Sequence, residues 1–209
     1  MSILECIPNF SEGLNVSVLN HIAQAIETIP DVYLLHQDRS ASANRTVFTF
    51  AGTPSAVVEA AFQAIKVAQE EIDMRLQKGA HPRIGATDVC PLVPLQGLSM
   101  QEAIHYAALL AKRVGEELAI PVFLYEHSQE RAYRKRLPQI RSGQYEQFKI
   151  KMTDTAWQPD YGPHTFTEAC GATVIGARAL LVAFNISLDT KDAVLAQQIA
   201  NEIRSIGYV

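Results

Sequence analysis

The sequence predicts an α+β fold of the ferredoxin-like, split βαβ kind, a sandwich in which helices pack on one face of a mixed sheet. Three observations lead there. Apolar residues recur at helical spacing in blocks that open with capping residues. Short runs rich in Val, Ile, Thr and Phe lie between those blocks. Up to Leu95 the two kinds of segment follow the order strand, helix, strand, strand, helix, strand. A C-terminal strand–helix extension completes the expected architecture.

In chain order, Leu4 to Phe10 reads as a strand running into the polar loop Asn9-Phe10-Ser11-Glu12-Gly13. Asn15 caps a helix whose stripe is Val18, Leu19, Ile22, Ile26 and Ile29, and Pro30 stops it. Val32 to His36 is a compact apolar run, followed by polar residues to Asn44, and Arg45 to Ala51 is the next strand. Thr53 caps a long helix with Pro54 at its first position and Val57, Val58, Ala61, Ile65, Ala68 and Ile72 on one face. Val89 to Leu95 is the fourth strand. Ser99 and Glu102 make a capping box for a helix striped by Met100, Ala103, Ile104, Ala107, Leu110, Val114 and Leu118. Val122 to Tyr125 is a short strand; His127 to Lys151 is polar and partly helical; Trp157 to Gly171 is a connector punctuated by Pro and Gly. Ala179 to Ile186 reads as a strongly apolar strand. A last helix, opened by Thr190, carries Leu195, Ile199, Ile203 and Ile206 and stops at Gly207.

The expected division is a main domain over residues 1–176 and a strand–helix extension over 177–209. The extension is too small for its own core and must dock on the main domain, pair with another chain or begin a second domain. The formal net charge of −4 gives no general attraction to nucleic acid or anionic membrane. Three cysteines without paired spacing suit core filling in a reducing compartment, not a disulfide framework. The first residues lack the pattern of a signal peptide and no segment reaches the length of a membrane span, so a cytoplasmic protein is expected.

Between helix and strand lies Lys78-Gly79-Ala80-His81-Pro82-Arg83-Ile84-Gly85-Ala86-Thr87-Asp88-Val89-Cys90-Pro91, whose glycines and prolines exclude a regular element. Pro82 biases His81 toward an extended backbone. His81 can carry a proton near neutrality or simply bond a backbone carbonyl; Pro82, Arg83, Gly85 and Asp88 beside it favour chemistry. Asp88 can orient the imidazole, bind a substrate amine or cap a turn. His81, Asp88 and Cys90 match no closed zinc spacing, so no metal is expected. Arg45 and Arg83 are candidates to hold a carboxylate through their planar forks, against plain surface solvation. Asn9, Ser11 and Glu12 form a polar cluster at a strand end, facing a cleft or making a turn. The basic residues from Arg131 to Arg136 read as a solvated face, with attraction of an anionic ligand tail as the minor alternative.

The loop, together with Glu5-Cys6-Ile7-Pro8-Asn9-Phe10-Ser11-Glu12-Gly13 and Asn44-Arg45-Thr46-Val47, resembles the formiminotransferase family. Gly143-Gln144-Tyr145-Glu146, Trp157-Gln158-Pro159-Asp160-Tyr161-Gly162-Pro163 and Gly171-Ala172-Thr173 extend the likeness in collinear order over essentially the whole chain. The resemblance implies transfer of a formimino (or formyl) one-carbon group between glutamate and tetrahydrofolate, with His81 as acid and base. It implies that Gly162, Pro163, His164, Thr165, Phe166 and Gly171 belong to the folate site. Asn9, Ser11, Glu12, Asp38, Arg45, Arg83 and Asp88 would surround the reacting centre. Tetrahydrofolate is then a co-substrate and formiminoglutamate the donor. A homodimer is expected on separate grounds, because the apolar run Ala179–Ile186 and the helix after it offer a surface that a second copy could cover. Leu14, His36 and Ala80 stand where the family commonly has a basic residue, an Asp and a Glu. In the family the last strand and helix open a second subdomain that completes the folate groove. The competing reading is a non-catalytic folate-binding or partner module lacking that half.

Overall fold

The structure, a computed structural model, describes residues 2–181, 186 and 188–205. The first strand is split into β1 (Leu4–Cys6) and β2 (Asn9–Phe10). Pro8 has no N–H to give the ladder, but its carbonyl still accepts from Phe48 N at 3.0 Å, so the two pieces stay in line. Then follow α1 (Val16–Glu27), β3 (Val32–Ser40), β4 (Arg45–Gly52), α2 (Pro54–Glu71) and β5 (Thr87–Pro94). Next come α3 (Met100–Glu117), β6 (Val122–Leu124), short α4 (Leu137–Arg141), α5 (Gln144–Lys151), β7 (Thr173–Ala177) and α6 (Ala193–Ser205).

The strands of the described residues join one mixed sheet. β3 pairs antiparallel with β4, and β4 with β1 and β2; these pair antiparallel with β5 on their other side. This is the expected split βαβ core. Beyond it the sheet continues through β7, parallel to β5, to β6, parallel to β7. β7 spans residue 176, the expected boundary, where the sequence pattern predicts no strand.

The caps explain where the helices begin. Asn15 accepts from Ser17 N and Val18 N, and Ser99 with Glu102 closes the expected capping box. Pro54 opens α2, although Thr53 makes no side-chain cap bond. The apolar stripes of α1, α2 and α3 lie on one face of the sheet, against Leu4, Cys6, Phe10, Phe48, Phe50, Cys90 and Leu92. Phe10 and Phe48 meet edge to face at 5.6 Å, a geometry that adds about 0.5–1.5 kcal/mol beyond buried area.

The opposite face is divided. Over β5, β7 and β6 it is covered by Ile140, Phe148 and Met152 of the 137–152 region, packed on Val89, Phe123 and Val174. Over β3 and β4 no such layer is formed among the described residues, and β3 is mostly exposed. β3 also runs four residues past His36, through the polar Gln37 to Ser40, because each pairs with β4 although one face meets solvent. Of the expected strand Ala179–Ile186, residues 182–185 lie outside the described residues, as do Ile206 and Gly207; Ala179, Leu180, Leu181 and Ile186 are exposed and belong to no strand, contrary to the expectation. α6 is capped by Asp192, whose Oδ1 accepts from Val194 N and Leu195 N; Thr190 bonds Asp192 N instead of opening the helix itself. Among the described residues no helix is long and apolar enough to cross a membrane.

Candidate active site

Direct pairing across the sheet sets Asp38, Val47, Asn9 and Val89 in one row over β3, β4, β2 and β5. Opposed residues share a face, and Val89 packs in the layer remote from α1–α3. The row therefore crosses from the open half of that face to the covered half. Between Asn9 and Phe10 the register with β5 slips, Asn9 facing Val89 and Phe10 facing Thr87. Asp88 is the extra residue of this bulge, a device that re-aims a side chain beside a functional centre.

The loop carrying His81 is fastened at both ends. On its entry side, Asn44 accepts from Gly13 N at 2.8 Å and donates to Lys78 O at 2.8 Å, while Gln77 Nε2 bonds Asn44 O at 3.0 Å. On its exit side, Ser11 N bonds Ala86 O at 2.9 Å and Ser11 Oγ bonds Gly85 O at 2.7 Å. Ala86 N bonds Cys170 O and Ala172 N bonds Ile84 O. Gly85 permits this seam: a Cβ there would lie 2.1 Å from Ala172 O.

Within this frame His81 is half-buried and its Nε2 has no hydrogen-bond partner among the described residues. Burial, then the charges of Arg45 and Arg141, hold its pKa down at about 4, so the imidazole is neutral at physiological pH. Arg45 gives both Nε, at 2.9 Å, and Nη2 to Asn9 Oδ1. Asp88 is buried, accepting Ile84 N at 3.1 Å and pairing with Arg141 through Nε and Nη2. Burial pushes the Asp88 carboxyl upward while Arg141 opposes that shift. With the guanidinium in direct contact, the ion-paired form is the one consistent with this geometry.

The predicted residues divide into two groups. His81, Asn9, Arg45 and Asp88 come together, and Asp38 lies within electrostatic reach of Arg45. Arg83 is turned elsewhere: its Nε bonds Gln77 Oε1, Nη2 bonds Gln77 O and Glu146 Oε1, and Nη1 bonds Glu146 Oε2. Ser11 braces the loop, and Glu12 Oε1 takes Leu14 N and Asn15 N at the head of α1. Arg141 lies in the polar stretch from His127 to Lys151; 53 residues separate it from Asp88, and no local pattern announces the pair.

The segment expected at the folate site is not gathered around His81 as one unit. Gly162, with φ +82, abuts Gly115 and Ile120. Phe166 packs on Tyr145 and Phe148. His164 lines a polar cavity of about 270 Å³ with Arg131, Tyr133 and Arg134. Gly171, with φ +71, bridges to Gly85 and so touches the exit side of the loop. The 163 and 165 positions, Pro163 and Thr165, lie between these anchors. A second cavity, about 490 Å³, is bounded by Ser142, Lys151 and Trp157; His81 lines neither.

Comparison with known proteins follows the same outline. A family model described as formiminotransferase domain, N-terminal subdomain, matches residues 3–178. A glutamate formimidoyltransferase from Streptococcus pyogenes is 46% identical over 205 residues, covering 98% of this chain and 69% of that relative. One from Thermoplasma acidophilum is 44% identical over 207 residues, covering 98% and 68%. The formimidoyltransferase-cyclodeaminase of Gallus gallus is 48% identical over 206 residues, covering 98% of this chain but only 38% of that longer protein.

Proposed function

The chain belongs to the formiminotransferase family, and from that premise we propose that it transfers a formimino group from N-formiminoglutamate to tetrahydrofolate, with His81 carrying the proton. The observation that bears most weight is the unpartnered, buried Nε2 of His81 on a loop fixed from both sides. The imidazole is neutral with a free nitrogen, and it becomes an effective proton acceptor once a bound anion offsets the charges of Arg45 and Arg141 that help hold its pKa near 4.

The folate N5 attacks the formimino carbon and a new C–N bond forms. His81 takes the proton that N5 loses. The bond from that carbon to the glutamate nitrogen then breaks, and the protonated imidazole returns the proton to the departing amine. The products are 5-formiminotetrahydrofolate and glutamate. Arg45, held by Asn9, supplies positive charge beside His81 for an anionic donor. Of the stretch from Gly162 to Gly171, it is Gly171, tied to Gly85 at the loop, that stands nearest the folate side of this site. In this reading residues 1–176 are the family-type domain and 177–209 an extension of it. Binding two substrates in register and relaying one proton are the tasks left to the protein.

Purified protein supplied with N-formiminoglutamate and tetrahydrofolate is expected to make 5-formiminotetrahydrofolate. Binding of reduced folate with no product at any protein concentration would replace this reading with a non-catalytic binding module.

A further inference from the structure

We propose that Arg45 and Arg141 form a two-sided clamp for the α-carboxylate of the amino-acid donor, with Asp88 as the residue that positions Arg141. The proposal deepens the transferase reading and rests on it.

The clamp follows from where the two guanidiniums are tied. Asn9, opposite Val47 and Val89, holds Arg45 by its Nε and Nη2 edge. One step along β5, the bulged Asp88 holds Arg141 by the same edge, Nε at 3.3 Å with Nη2 closer. Each Nη1 has no partner among the described residues. Two planar donor forks are thus anchored on the neighbouring strands β2 and β5, with a free corner each. Arg83, the other guanidinium near the loop, is tied by three nitrogens to Gln77 and Glu146 and offers no comparable edge.

An anion is favoured by the free guanidinium corners rather than by net charge, since each guanidinium already faces a carboxylate. Asp88 is 2% exposed and compensates Arg141 from beneath the site; Asp38 acts on Arg45 from the exposed edge strand. Yet both guanidiniums still act on the neighbouring imidazole. The chemistry selects which anion. In N-formiminoglutamate the formimino group is on the amino nitrogen, and the next carbon bears the α-carboxylate. If His81 reaches that nitrogen, the α-carboxylate must lie only a few bonds away, where Arg45 and Arg141 are. Burial comes first in holding down the proton affinity of His81; once seated, the carboxylate offsets the two positive charges that lower it further. Donor binding would then prepare the imidazole to carry a proton.

The test titrates the chain with N-formimino-L-glutamate and with N-formimino-4-aminobutyrate, which differs by lacking the α-carboxylate. Calorimetry should show the first binding and the second at least roughly tenfold weaker, with Arg141→Gln weakening the first by about 10–100-fold. Asp88→Asn should weaken it in the same direction, and Arg141→Lys should restore part of the loss. In parallel, the NMR titration midpoint of His81 should rise on saturation with N-formimino-L-glutamate, a change that a merely structural Arg141 would not cause. Equal binding of the two ligands, or an unmoved His81 midpoint, overturns the clamp while leaving the transferase reading in place; neither measurement depends on a variant folding. Failure of the wild-type chain to bind either ligand overturns both.

Discussion

Arg83 and Glu146 meet as a two-pronged ion pair, Nη2 at 2.8 Å from Oε1 and Nη1 at 3.2 Å from Oε2. The pair ties the His81 loop to α5, and Tyr145 N adds a bond to Arg83 O at 2.8 Å. The Arg83 side chain is 8% exposed and that of Glu146 59%, so the two ends of the pair should respond differently to substitution. Arg83→Ala removes a buried set of charge-assisted hydrogen bonds and should cost about 2–4 kcal/mol. Glu146→Gln keeps a solvated acceptor but leaves the buried guanidinium without its countercharge, and should cost less, about 1–2 kcal/mol. Urea unfolding of both variants checks the contrast; equal costs would contradict it.

His81 gives the protein a signature in acid. Its pKa is lowered from the usual 6.5 to about 4, first by burial and then by Arg45 and Arg141. Between those values the unfolded chain binds a proton that the native state does not. The unfolded state is therefore favoured as pH falls through this window, and the native state regains the lost stability above it. His81→Gln should flatten the fall in urea midpoint between pH 6.5 and 4. In wild-type protein the ring resonance should titrate near pH 4; a midpoint near 6.5 would contradict the burial of the ring and the placement of both guanidiniums.

Gly85 gives the clearest steric prediction. A methyl group there would meet Ala172 O at 2.1 Å and Cys170 O at 2.7 Å, both backbone atoms in the seam that holds the loop. Gly85→Ala should cost about 1–3 kcal/mol and shift the loop. Because small misplacements of catalytic groups are costly, turnover should fall about tenfold or more. Unfolding and initial-rate measurements on the same preparation check both effects, and a variant with wild-type values in each would refute the close packing.

These outcomes trace what a sequence can carry. Caps at Asn15 and at Ser99–Glu102, and the stripes behind them, are local signals and were legible. So was the split βαβ core they imply. Thr173-Val174-Ile175-Gly176-Ala177 was missed as a strand because it is short, contains a glycine and precedes a stronger apolar run. The end of β3 was missed because Asp38, Arg39 and Ser40 are polar, a pattern that an exposed edge strand permits. At the site, the loop and His81 stood out by composition and family likeness. The partners of Arg83 and Asp88 did not, since Glu146 lies 63 residues from Arg83 and Arg141 lies 53 from Asp88. Which guanidinium serves the loop's structure and which faces the imidazole is decided by tertiary contacts alone.

The most direct test of the proton-carrier role is formimino transfer by His81→Ala, measured with and without added imidazole. Turnover should fall by roughly 10²–10⁴-fold and recover in part as free imidazole occupies the vacated space. Wild-type turnover by His81→Ala, indifferent to imidazole, would contradict the role assigned to His81.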